Sequence, residues 1–162
     1  MLQKALNELK EKLKGSRFGL IGVGNIFRGD DGAGPRLIEK LTGAVSFPVI
    51  DASEVPENYS GWILKSDLKR IVFVDAVEFG GVPGEVRLIP VEQLMISASS
   101  THRMSLHFMA WYLKENWDGE ALLLAIQPAS LELTDKLSNE VQVAVEELTE
   151  FFIDLDTGLS SQ

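Results

Sequence analysis

The sequence predicts a three-layer α/β/α sandwich on a mostly parallel central sheet of about five strands. Three observations predict it. Apolar runs of strand length alternate with amphipathic segments of helical period along most of the chain. Two of those runs, RIVFVDA (70–76) and ALLLAIQP (121–128), are apolar on both faces, as central strands covered on both sides must be. Polar residues recur just after the runs, where open α/β sheets place their sites.

The elements follow in order. Leu2, Ala5, Leu6, Leu9 and Leu13 recur at helical spacing, so residues 2–14 read as an amphipathic helix ended by Gly15. Residues 18–23 form a first apolar strand. Residues 31–42 form a helix with Ala33, Leu37, Ile38 and Leu41 on one face, and Pro35 is tolerated because it falls in the first turn. FPVID (47–51) reads as a short strand ending at Asp51, and PENYSGWILKSDLK (56–69) as a helix with an irregular start. RIVFVDA is the third strand. PGEVRLIP (83–90) alternates and reads as a half-exposed or edge strand. MSLHFMAWYLKENW (104–117) reads as a helix and ALLLAIQP as a last buried strand closed by Pro128. LSNEVQVAVEELTEFFIDL (137–155) reads as a long helix with Val141, Val145, Leu148 and Phe152 inward. The whole is expected to be one domain over 1–155, including the N-terminal helix, with a flexible tail over 156–162.

Bulk properties narrow the function. A net charge of −9 opposes broad contact with nucleic acid or anionic lipid. No apolar run of about eighteen residues exists, so no membrane insertion is expected. The first helix is charged and lacks the apolar core of a signal peptide. With no cysteine there is no disulfide framework and no thiolate nucleophile. These features favour the cytoplasm, and a monomer is the expected free state.

The polar groups converge on one rim. Asn25, Asp30 and Asp31 follow the first strand; Asp51, Ser53 and Glu54 follow the second. The third ends at Asp75, with Glu78 beyond; SASSTHRM brings His102 to the start of a helix, and the last strand ends at Gln127. The glycines Gly22, Gly24 and Gly29 do not make G-x-G-x-x-G, because Phe27 holds the third position, and no Gly-Lys-Ser/Thr follows. Asp30 and Asp31 occupy the place where a phosphate would meet the helix N-terminus, and would repel it. One of them suits an N-cap. A cap needs a single acid, which leaves the other to face the rim and bind a cation. Asp75, surrounded by Ile71–Val74 and Ala76, is costly unless paired, hydrogen-bonded or bound to metal. It equally suits a strand-end carboxylate accepting backbone N–H bonds, and His102 equally suits packing against the core. His107, five residues on, is rotated off the face of His102 and reads as structural. Two carboxylates and an imidazole with open positions would suit a borderline divalent ion such as zinc or nickel. Asn25, Asp30 and Gln127 are expected to support the site or touch substrate.

The segments GVGNIFRGDDGAGPRLIEKL, VDAVEFGGVPGEVRLI, STHRMSL and AIQP, in this order, resemble the hydrogenase maturation endopeptidases. The best match is the type that processes the large subunit of formate-hydrogenlyase-like [NiFe] hydrogenases. DASEVPEN (51–58) is similar to the segment after that family's second strand, and the resemblance spans about Phe18 to Leu155. It implies an α/β/α sandwich and removal of a short C-terminal peptide from the large-subunit precursor once nickel is inserted. It also implies three metal-contacting and catalytic side chains, which fall on Asp31, Asp75 and His102. Many relatives carry Glu at the first, so Asp31 is one methylene shorter. Nickel is expected to come with the substrate, although another divalent metal can occupy the site in isolation. The simplest implied mechanism is metal-assisted hydrolysis without a covalent intermediate; an acid acting as general base is the alternative. Two other readings compete with a protease. One is a Rossmann-type nucleotide-binding module using GVGN, with Asp51 as a late ribose-binding acid. The other is a metal-sensing chaperone that holds the precursor without cutting it. The Asp-Thr-Gly at 156–158 occurs once and reads as a chance match to the aspartic proteases.

Overall fold

The predicted order of strands and helices is realised in the computed structural model, which describes residues 2–93 and 103–160. The strands are β1 (Phe18–Gly22), β2 (Val49–Asp51), β3 (Arg70–Ala76), β4 (Val86–Pro90) and β5 (Glu120–Ile126). The helices are α1 (Leu2–Leu13), α2 (Ala33–Leu41), α3 (Ser60–Lys65), α4 (Arg103–Asn116) and α5 (Asn139–Ser160). Short 3₁₀ turns at Gly29–Gly32 and Pro56–Tyr59 lead into α2 and α3.

Among the described residues the strands form one sheet in the order β2-β1-β3-β5-β4. All neighbours are parallel except β4, which runs antiparallel to β5 at the edge. Gly22 lies opposite both Asp51 and Val74, and Ala76 opposite Ile126. The carboxyl ends of the four parallel strands therefore share one rim.

Alternation along each strand sends side chains into two cores. Leu20, Val72, Val74, Leu122 and Leu124 pack with the buried faces of α1, α2 and α5. Ile21, Ile71, Phe73 and Leu123 pack with Ile63 of α3 and with Leu106, Met109 and Leu113 of α4. Burying these side chains contributes about 1.5–3 kcal/mol each. The N-terminal helix packs on its own chain: Leu9 and Leu13 are wholly buried, and α1 lies against β4.

Besides shifts of a few residues at other ends, four differences from the sequence expectation have a physical reason or a consequence for the site. β2 is limited to Val49–Asp51, because Pro48 offers only its carbonyl, which accepts the Leu20 N–H at 3.0 Å. The helical segment after Pro56 is a 3₁₀ turn plus the short α3. α2 starts at Ala33, leaving Asp30 and Asp31 in the preceding 3₁₀ turn. α5 runs to Ser160 through the stretch expected as a flexible tail. Asp156 holds that turn by accepting bonds from the backbone N–H and hydroxyl of Ser46. This Asp belongs to a helix tie and to no protease pair.

Candidate active site

The rim is assembled where β1 and β3 end. Val23 N–H donates to the Val74 carbonyl at 2.8 Å, so the chain leaving β1 stays fastened to β3 beside Asp75. α2 then crosses close over both strands. A methyl group at Gly34 would overlap the carbonyl oxygens of Val74 and Val23, so only glycine allows this approach. The glycine-rich loop thus serves backbone packing.

Each acid in the loop has its own task. Asp31 is 2% exposed, and its Oδ2 accepts the backbone N–H of Asn25 at 2.9 Å. Asn25 Oδ1 in turn accepts the Phe27 N–H at 2.9 Å, closing the turn from within. Asp30 is fully buried. Its Oδ2 accepts the N–H groups of Ala129 and Ser130 at 2.8 and 3.1 Å and the Ser138 hydroxyl at 2.9 Å; Oδ1 accepts the Ser138 N–H at 2.7 Å. Four donors explain how a carboxylate survives there. Neither acid caps α2, whose N-cap is Gly32 with no side-chain bond. The N-cap expectation is replaced by a tie to the segment between β5 and α5. That segment lies about a hundred residues away and gives no local signal in the sequence.

The same segment reaches the loop through its backbone. Gly29 N–H donates to Thr134 O at 2.9 Å and Thr134 N–H to Phe27 O at 3.0 Å, a parallel bridge of Arg28 with Thr134. Gly29 has φ +56°, and a Cβ there would stand 2.8 Å from the Ser130 carbonyl oxygen. The place where a nucleotide phosphate would lie is therefore filled by protein. Asp51, the acid a nucleotide module would use, accepts the Ser53 N–H at 2.8 Å in its own turn.

Asp75 is fully buried at the penultimate position of β3. It shares strand parity with Phe73, so it faces the α4 side of the sheet. α4 begins at Arg103, on that same side. His102 immediately precedes it and lies outside the described residues. His107, read as structural, is half-buried on α4. Among the described residues no three His, Asp or Glu side chains gather closely enough to hold a metal ion. The structure places Asp31 in the turn that returns to Asn25 just beyond β1 and Asp75 at the end of the neighbouring strand β3; two such carboxylates with an imidazole would make a donor set suited to a borderline divalent ion.

Gln127, 3% exposed, braces the far side of the rim. Its Oε1 accepts the N–H groups of Phe79 and Gly81, both at 3.0 Å, and its own N–H donates to Glu85 O at 2.9 Å. Sequence reasoning misses Ser138, the second half of the Asp30 tie, and the exposed Phe27 and Leu133 beside it. An isolated serine or leucine in a loop carries no recognisable signal.

Fold and rim define an α/β/α protein with carboxylates, in place of a phosphate, at its glycine-rich loop. Comparison with known proteins sharpens that definition. The family model for hydrogenase maturation proteases matches residues 35–155. The hydrogenase 3 maturation protease of Escherichia coli K12 is 37% identical over 130 residues, covering 78% of this chain and 83% of that protein. The crystal structure of a [NiFe] hydrogenase maturation protease HycI from Thermococcus kodakarensis KOD1 superposes with a TM-score of 0.83 at 33% identity, over 93% of this chain and 99% of that one. The solution structure of an endopeptidase HycI from Escherichia coli gives 0.73, also at 33% identity, over 85% and 89%. The chain belongs to the hydrogenase maturation proteases and is a peptide hydrolase. The resemblance read from its motifs is borne out.

Proposed function

We propose that this chain removes a short C-terminal peptide from the large-subunit precursor of a [NiFe] hydrogenase, of formate-hydrogenlyase type, after nickel has been inserted. The observation that carries this is the pair of buried acids, Asp31 in the turn after β1 and Asp75 at the end of the adjacent strand β3, in a chain of this family. The hydrogenase as target follows the names of the relatives.

Nickel belongs to the substrate in this reading. Asp31 and Asp75, with His102, complete the coordination of the nickel that the precursor presents, and so make cleavage conditional on loading. Asp31 reaches less far than a Glu would, and its tie to the Asn25 N–H fixes where its carboxylate stands. Substrate nickel then polarises the scissile carbonyl or lowers the pKa of an attacking water. No acyl intermediate is required, and the chain has no thiol to form one.

The test is incubation of the purified protein with the precursor, nickel-loaded and nickel-free, with mass spectrometry of the precursor's C-terminus. Loss of a peptide only from the loaded precursor is expected. Asp31→Ala, Asp75→Ala and His102→Ala should each slow that loss by roughly a hundredfold or more. Cleavage of nickel-free precursor at full rate would remove the metal as licence. Tight binding without any cleavage would turn the reading to a chaperone.

A further inference from the structure

We propose that Phe27 and Leu133 form an apolar platform that seats the polypeptide substrate beside the acids. The inference rests on the peptidase reading of the rim and names where its substrate is held. Both side chains lie in water, Phe27 at 65% and Leu133 at 86% exposure. They come from segments more than a hundred positions apart. The parallel bridge of Arg28 with Thr134 ties the two segments together at the residues that immediately follow Phe27 and Leu133, so the two backbones run in neighbouring register there.

What marks this patch is how firmly it is held. Asp31, an acid of the site, fixes the Asn25 backbone, and Asn25 fixes the Phe27 backbone. Asp30 commits all four of its accepted bonds to residues 129, 130 and 138, the arm that carries Leu131 and Leu133. Gly29 adopts a left-handed conformation to let the two arms meet. Burying a carboxylate to immobilise a segment whose tip is an exposed leucine brings no core packing at that tip. It does fix an apolar surface against the turn that bears Asp31. A rigid, pre-formed patch loses little freedom when a partner covers it.

The occupant is the polypeptide this peptidase cuts, because the patch is continuous with the acid turn. Val55 and Val82, exposed in the loops after β2 and β3, extend the apolar character to other parts of the rim. An apolar stretch of the precursor next to the cleaved bond is the chemistry that fits.

The experiment is steady-state cleavage of nickel-loaded precursor by wild type, by the Phe27→Ser/Leu133→Ser double variant, and by the conservative Phe27→Leu/Leu133→Met pair. Equilibrium binding of the same precursor is measured with each pair of changes placed on Asp75→Ala, which separates binding from turnover. The expected result is a KM and a Kd raised about tenfold or more by the serines, with kcat within about twofold and near-wild-type values for the conservative pair. Both positions are exposed, so an unchanged melting temperature verifies the fold. A wild-type KM in the serine variant, with a Kd equal to that of Asp75→Ala alone, overturns the platform while the peptidase reading stands. If wild type binds the precursor and never cuts it, the peptidase reading falls, and the Kd comparison still decides whether the platform holds the precursor.

Discussion

The two ends of the sheet treat charge in opposite ways. At the foot, where the strands begin, acids and bases meet in water. Lys69 pairs with Asp118 at 2.8 Å, Lys12 with Glu120 at 3.0 Å, and Arg17 with Asp67. At the rim, where the strands end, Asp30, Asp31 and Asp75 are buried. Exposed pairs contribute little, since water and side-chain entropy cancel most of the attraction. A buried carboxylate must be matched by fixed donors or it destabilises the fold. The foot is therefore tolerant and the rim is not, although both ends carry the same residue types.

The strongest way to break this contrast is Asp75→Ala. Precursor cleavage should fall by roughly a hundredfold or more, read by mass spectrometry under single-turnover conditions. Retained cleavage would move the chemistry elsewhere on the rim. Asp30→Ala should be the most damaging change to stability, at about 3 kcal/mol or more, because it strands the donors of Ala129, Ser130 and Ser138. Urea unfolding measures it, and a loss below about 1 kcal/mol would mean that the segment is held by other contacts. Gly34→Ala follows at about 1–3 kcal/mol, from overlap with the Val74 and Val23 carbonyls. The smallest effect belongs to the foot. The hydrogen bond from Lys69, reinforced by its charge, lowers the pKa of Asp118. What the pair contributes is thus present above the ordinary aspartate range and lost as pH falls through the lowered folded pKa. Lys69→Met should bring Asp118 back up toward the ordinary range in an NMR titration, with the melting temperature almost unmoved. A large drop in melting temperature would erase the distinction between foot and rim.

Much of the fold is legible in the sequence, because periodicity reports burial. RIVFVDA and ALLLAIQP become the paired central strands β3 and β5, and the alternating PGEVRLIP becomes the edge strand β4. Boundaries were less legible where a residue's backbone chemistry overrides its apolarity, as at Pro48 and Pro56. In the site, the position of Asp75 follows from an acid ending an apolar run. The roles of Asp30 and Asp31 do not follow from neighbours. Local rules assign a helix cap, whereas Asp30 binds residues 99 to 108 positions away. Such a tie depends on how β5 and α5 are joined over the rim, which no periodicity encodes. Gln127 was readable as a rim residue, but its use as a brace for Phe79 and Gly81 needed the fold.

The strand order carries a consequence for synthesis. β5 lies between β3 and β4, yet it is made after both. A chain emerging from the ribosome can zip β2, β1 and β3 together from nearby segments. β4 then has no parallel or antiparallel neighbour until residues 120–126 appear. The apolar face of α1 waits equally long, since its resting place includes β4, Leu122 and Leu124. Insertion of a late central strand closes loops of high sequence separation, the slow kind of step. The nascent protein thus spends most of its elongation with a greasy helix uncovered, the stage at which aggregation threatens it most.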